Sequence, residues 1–287
     1  MAMNHINNKK NNAGAEARFG PLTKSIDVDE ALMLVQLSCQ LPEILAWQEE
    51  ALYRLPQPSR QRRQEIARSV QSKFLRVEGS TFVKTPLVDL LTDSILPAQL
   101  KRDLLFAQYL RATPLVWEAI REVVLPRTEA EAQHLAQGGL AEIPQSALDS
   151  FLQKRLRQYT ETTFSRTRRH VTAHLIKFGL LEARPVPGNA IAKQFFAHFY
   201  QPDVRAFWFS LTQEFIDQGW TTRSERFICE SSWTRIAYCT TPAYARFALD
   251  EAERSGLLAT DFFGSEKQAT LRGPEPFTRL VEVIRYA

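Results

Sequence analysis

The sequence predicts a mainly α protein in two parts, a helical core to about residue 200 and a smaller unit beyond it that adds a hairpin. Three observations carry this reading. Apolar residues recur at three- and four-residue intervals along most of the chain. Prolines stand near the first turn of successive such stretches, at Pro86, Pro97, Pro114, Pro144 and Pro242, where a missing amide donor costs nothing. Glycines follow the last periodic residue at Gly179, Gly219 and Gly256. A length of 287 residues fits two or three folded units of roughly 100 to 200 residues. Hydrophobic residues at 44% and charged residues at 24% are ordinary for a globular chain and exclude wholesale disorder or a fibrous repeat.

Residues 1–20 are rich in Asn, Lys, Gly and Ala with almost no bulky apolar side chain before Phe19, so a mobile tail is expected there. Asn4 to Asn12 offers no apolar run that an export signal needs. The stretch Ala31 to Leu41 is interrupted by Gln36, Ser38 and Gln40 and falls short of the roughly 20 residues that cross a bilayer, so no membrane partner is expected. Cys39, Cys229 and Cys239 are odd in number and scattered, which argues against a disulfide framework or a zinc site and for a reducing, cytoplasmic setting.

Asp27 to Tyr53 reads as one or two helices, capped by Asp27 and broken near Pro42. Pro56-Gln-Pro58 is a turn, and Ser59 precedes a basic helix expected to run to Val77 with Ile66, Val70, Phe74 and Val77 on its inner stripe. Helices follow at Pro86–Thr92, Pro97–Leu110 and Pro114–Leu125. A short helix and linker span Glu129–Gly139, and another helix runs from Pro144 to about Tyr159.

Thr163 to Phe178 is the most legible element, with a cap at Thr163 or Ser165 and a stop at Gly179. At 100° per residue Phe164, Val171, Leu175 and Phe178 share one face, while Arg166, Arg169, Ala173 and Lys177 project from the opposite one. Arg184 to Gly188 reads as loop or short extended chain, and Ala190 to Tyr200 as a resumed helix. Beyond it come a helix at Phe207–Gln218, a short element at Ser224–Glu230 and a helix at Pro242–Ser255. Leu257–Asp261 and Lys267–Arg272 then flank a turn near Gly264. Helix, glycine, strand, turn, strand is the order of a winged-helix-like unit, placed over 201–287, with the helical core over 21–200.

Charge is segregated along the chain. Ser25 to Ala51 holds six acids and no Lys or Arg, whereas Arg54 to Arg76 holds seven bases against Glu65. A second basic run contains Lys154, Arg155, Arg157, Arg166, Arg168 and Arg169. Arg166, Arg168 and Arg169 open a helix that follows another helix, where a helix-turn-helix places residues that reach phosphates or base edges, and the guanidinium fork suits that contact. One such cluster is ordinarily a solvated face. Two independent clusters tip the reading toward nucleic acid, taken with the resemblance below to be double-stranded DNA, with Arg60, Arg62, Arg63, Arg166, Arg168, Arg169 and Lys177 as its candidate contacts.

His170 and His174 are spaced four apart as in metal-binding helices, but no third ligand follows and the flanking arginines repel a cation. No metal or other cofactor is assigned, and no catalytic residue. The five tryptophans read as core, and Gly138-Gly139 as a linker with no strand before it and no Lys-Ser/Thr pair after it. The acids of Asp27-Val-Asp29-Glu30 suit the positive end of a helix.

The basic helix Arg62-Arg63-Gln-Glu-Ile-Ala-Arg68, the run Leu104-Leu-Phe-Ala-Gln-Tyr-Leu110, Trp117-Glu-Ala-Ile-Arg-Glu-Val-Val124, and Ser165-Arg-Thr-Arg-Arg-His-Val171 leading to Phe178-Gly-Leu-Leu181 together resemble the BrxA-like family of BREX and related phage-defence loci. The resemblance covers Ser59 to Leu181, with a further match at Gly256-Leu257-Leu258. It implies a helical fold likened to NusB and a DNA-binding accessory role without catalysis in antiviral defence. The second reading is an adaptor, whose acidic Asp27–Glu50 segment and C-terminal unit dock other defence-system proteins.

Overall fold

The computed structural model describes residues 27–156, 160–186, 188–273 and 275–286. The tail expected over 1–20, and Tyr159 as the expected end of a helix, lie outside the described residues. The described chain is mainly helical, with small antiparallel sheets.

Helices α1 (Val28–Gln40) and α2 (Ile44–Arg54) part at Pro42, and the Asp27 carboxylate caps α1 by accepting from the Asp29 amide at 3.1 Å. Their inner faces meet through Leu34, Val35 and Trp47, all fully buried, and the Trp47 indole donates to the Leu34 carbonyl at 2.9 Å. Helix α3 (Arg60–Phe74) starts at Ser59, whose hydroxyl accepts from the Arg62 amide. It stops three residues before the expected Val77. Strands β1 (Arg76–Glu78) and β2 (Thr81–Val83) pair around Gly79, whose φ of +62° favours a residue without Cβ. The β-branched Val77 is 40% exposed on that hairpin, so the buried stripe ends with Ile66, Val70 and Phe74.

Helices α4 (Pro86–Thr92) and α5 (Ala98–Arg111) lie where the prolines put them. Helix α6 (Pro114–Ala119) runs on through a π turn at Ile120–Val124 into α7 (Leu125–Ala130), past the expected end at Leu125. The π turn explains how the helix passes Pro126. That proline has no amide and its ring crowds the carbonyl four residues back; the Leu125 amide donates five residues back, to the Ile120 carbonyl, and widens the turn.

After α8 (Ala132–Ala136), strand β3 (Ala141–Ile143) lies between the expected linker ending at Gly139 and the helix expected from Pro144, followed by α9 (Gln145–Arg155), α10 (Glu161–Lys177), β4 (Leu181–Val186) and β5 (Asn189–Ala197). The helix expected over Ala190–Tyr200 is therefore a strand. Gly188, at φ +78°, turns the chain back, and β5 pairs with β4 on one side and β3 on the other. Two ladders outweigh a local helical pattern worth only tenths of a kcal/mol per residue.

The remainder is α11 (Val204–Asp217), β6 (Thr222–Ser224), α12 (Glu225–Ser231), α13 (Trp233–Ala237), α14 (Pro242–Arg254), β7 (Leu258–Phe263), β8 (Glu266–Leu271) and α15 (Pro276–Tyr286). The hairpin turns at Gly264-Ser265, as the sequence predicts. One succession thus occurs twice: a short strand, further helices, then a hairpin whose second strand is central. The strand orders are β3-β5-β4 and β6-β8-β7.

The hydrophobic core continues across residue 200. Asp103 of α5 is wholly buried and accepts from the Tyr200 hydroxyl at 2.5 Å, the Asp203 amide at 2.7 Å and the Gln99 side chain. The Tyr238 hydroxyl donates to the Asp103 carbonyl at 3.0 Å. Arg111 reaches from α5 to Asp217 at 2.5 Å and lies 4.3 Å over the Trp233 ring. Glu214 holds the first turn of α13, which Ser232 caps, by accepting from the Trp233 and Thr234 amides at 2.8 and 2.9 Å; burial raises its pKa, and those bonds oppose the shift.

Candidate nucleic-acid interface

Helix α10 carries the site. Thr160, rather than Thr163 or Ser165, caps it, accepting from the Thr163 amide at 3.3 Å. Its far end closes on Gly179, at φ +81°, with the Leu180 amide donating to the Leu175 carbonyl at 2.8 Å. Val171, Leu175 and Phe178 are buried, and Phe178 packs on Phe106 with ring centroids 4.7 Å apart. Burial of this stripe turns Arg166, Arg169 and Lys177 outward, all three exposed.

The exposed bases differ in what they already hold. Arg166 enters no ion pair among the described residues, Arg169 donates to the Ser165 carbonyl of its own helix at 3.4 Å, and Lys177 lies 3.5 Å from Asp27. Arg168 is engaged: its Nη1 lies 3.0 Å from both carboxylate oxygens of Asp149, tying α10 to α9.

Beside this face, α10 and β5 enclose an open groove of about 380 Å³. Ala173, Ile176 and Phe195 form its apolar floor, and Arg168, Arg169 and Lys193 its basic rim. Lys193 is exposed and makes no ion pair among the described residues. The sequence reading missed it because a helix over 190–200 gives no reason to set Lys193 against α10. On the same hairpin Arg184 bonds Glu182 at 2.8 Å and lies 5.0 Å over the Phe196 ring.

The other predicted cluster sits elsewhere. Helix α3 leans on α1, α2 and α5, whereas α10 leans on α9, α6 and β4. Arg60 is exposed without an ion pair among the described residues, Arg62 pairs with Glu65 at 3.2 Å, and Arg63 donates to the Leu52 carbonyl at 2.7 Å. Of these three, Arg60 alone is exposed, and Arg62 and Arg63 are half-buried.

The histidine pair of α10 is split by burial. His174 is fully buried, stacks on Tyr109 at 4.5 Å between centroids and donates from Nδ1 to the His170 carbonyl at 2.6 Å. Burial holds its imidazole neutral, with a pKa of about 3. Among the described residues no group of three His, Cys, Asp or Glu side chains is placed to hold a metal ion, and no helix is long and apolar enough to cross a membrane.

No protein-family model, curated protein or solved structure matches the chain.

The second occurrence of the topology provides an internal comparison. From Gln145 to Ala197 the sequence holds nine bases and three acids; from Glu225 to Leu271 it holds five bases and seven acids. Helices α12 and α14 and strand β8 bound a second open groove, lined by Glu225, Arg226, Glu230, Arg246, Glu266 and Lys267, and its bases are already neutralised. Arg246 lies 2.9 Å from Glu225, Lys267 lies 3.1 Å from Glu225 and 3.3 Å from Asp250, and Arg226 lies 3.2 Å from Glu230.

Proposed function

We propose that this chain is a non-catalytic DNA-binding accessory protein of a prokaryotic anti-phage defence system, holding duplex DNA mainly through phosphates. The observation that carries the reading is the uncompensated basic face of α10, Arg166 and Arg169, with Lys193 across the groove. Exposed bases without acid partners are what phosphates displace counterions to reach, and bases already paired to carboxylates contribute little. The helix that carries them follows another helix and precedes a hairpin, which is the winged-helix order, so α10 is the element that approaches a groove. Lys177 extends the same face, Arg168 anchors α10 to α9, and Arg60 is a more distant contact. The resemblance to the BrxA-like family supports the same reading and supplies the defence setting.

The adaptor reading has one observation in its favour: the second groove is acidic and internally paired, which suits a protein better than a polyanion. The two readings assign different parts of the chain to different partners.

The test is the Arg166→Ala/Arg169→Ala double variant. Its affinity for duplex DNA falls about equally across unrelated sequences, and its salt dependence flattens by roughly 0.9 in slope per lost contact. Thermal stability stays within about 0.5 kcal/mol, because both side chains are exposed. Unchanged affinity in the folded variant contradicts the site.

A further inference from the structure

The β7–β8 hairpin ends in two uncovered aromatic side chains, Phe262 at 74% and Phe263 at 80% exposure. They are held up by a two-residue turn with Gly264 at φ +65°, so the tip is a stiff projection. Asp261 and Glu266 flank them, both exposed and neither in an ion pair among the described residues. Two exposed phenylalanines at one hairpin tip, one on each face of it, are costly in water and mark an interaction site. The adjacent carboxylates repel phosphate, so nucleic acid is the wrong occupant.

The α10–β5 groove has the opposite chemistry in the same arrangement. Its floor of Ala173, Ile176 and Phe195 is apolar, and Arg169 and Lys193 on its rim are bases without acid partners. An apolar tip flanked by uncompensated acids matches an apolar floor rimmed by uncompensated bases. Within one chain the two do not meet, since both phenylalanines stand exposed.

We infer that the β7–β8 tip of one copy of this chain seats in the α10–β5 groove of a second copy, giving a head-to-tail association. The tip and the groove are different surfaces, so the contact is heterologous, and each added copy presents a fresh tip and a fresh groove. Arg169 and Lys193 then serve two occupants, and duplex DNA competes with self-association. That competition, unlike the association itself, rests on the DNA-binding reading.

Sedimentation velocity of the full chain without DNA tests the contact. At low salt the weight-average mass rises with concentration above the 32.9 kDa of one chain. At about 1 M salt, where screening acts over about 3 Å, the rise shrinks. Phe262→Ser/Phe263→Ser and, separately, Lys193→Glu each abolish it; both change exposed positions, and circular dichroism checks their folds. Mixing the two variants restores a one-to-one complex and nothing larger, because the first retains its groove and the second its tip. A wild-type chain that stays monomeric, variants that associate as the wild type does, or a mixture that fails to pair overturns the inference. Association without DNA binding leaves the contact standing and removes the proposed function, whereas DNA binding by a strict monomer does the reverse. A loss of DNA affinity in the phenylalanine variant with no change in mass assigns the tip to nucleic acid instead and also overturns it.

Discussion

His174 shows how a single side chain sets a pH dependence. Its ring is stacked on Tyr109 and fully buried, and burial lowers its pKa to about 3 from an ordinary 6.5. The unfolded chain therefore binds a proton below about pH 6.5 that the folded chain refuses until about pH 3. Acid favours the unfolded state across that window. The stability associated with the neutral ring is complete above pH 6.5 and is lost as pH falls toward 3, at no more than about 1.4 kcal/mol per pH unit. His174→Phe keeps the aromatic stack and removes the titration. Its melting temperature drops less between pH 7 and pH 5 than that of the wild type, and an equal drop contradicts the assignment. Lys73 belongs to the same environment: its ammonium lies 5.6 Å from the Tyr109 ring centroid, and burial lowers its pKa to about 8. The neutral imidazole avoids placing a second charge beside it.

At the scale of the element, α10 depends on its ends as much as on its stripe. Gly179 holds φ at +81° to close the helix, and a Cβ there meets only the Tyr200 ring at 3.7 Å, an ordinary contact. Gly179→Ala therefore costs about 1–2 kcal/mol through backbone strain alone, read as a lower urea midpoint, while DNA affinity of the folded protein stays at the wild-type value. A loss of affinity matching the loss of stability contradicts the separation of end from face. This helix was legible in the sequence because its period, its stop and its charge agree. Its true cap, Thr160, was missed because Thr163 and Ser165 offered equivalent hydroxyls. The strands β3 and β5 were not legible for a different reason. Ala141–Ile143 is three residues long, and what makes it a strand is Phe195 and Ala197, more than fifty positions away. Lys193 joins the candidate site through the same long-range pairing. The helix expected to end at Leu125 likewise continues because a π turn takes up Pro126, a solution that no local rule selects.

Across the whole molecule, one order of elements is used twice with opposite electrostatics, basic over 145–197 and acidic over 225–271. Both occurrences are fastened to α5, the second through Arg111, Asp103 and the rings of Phe106 and Tyr238. These contacts set where the basic face points relative to the acidic hairpin, so the DNA and the second copy proposed above would each approach from a defined direction. The sequence reading separated a helical core from a C-terminal unit; the continuous core and the repeated topology emerge only once β3, β5 and β6 are paired. The central claim is that the α10 face holds duplex DNA through phosphates, and a titration of the wild-type chain with labelled duplex at two salt concentrations tests it most directly. The three contacts of the groove and its helix face, from Arg166, Arg169 and Lys193, by themselves predict measurable binding at about 50 mM salt and a loss of at least roughly fortyfold at about 200 mM. No binding at the lower salt, or an affinity indifferent to salt, contradicts the account.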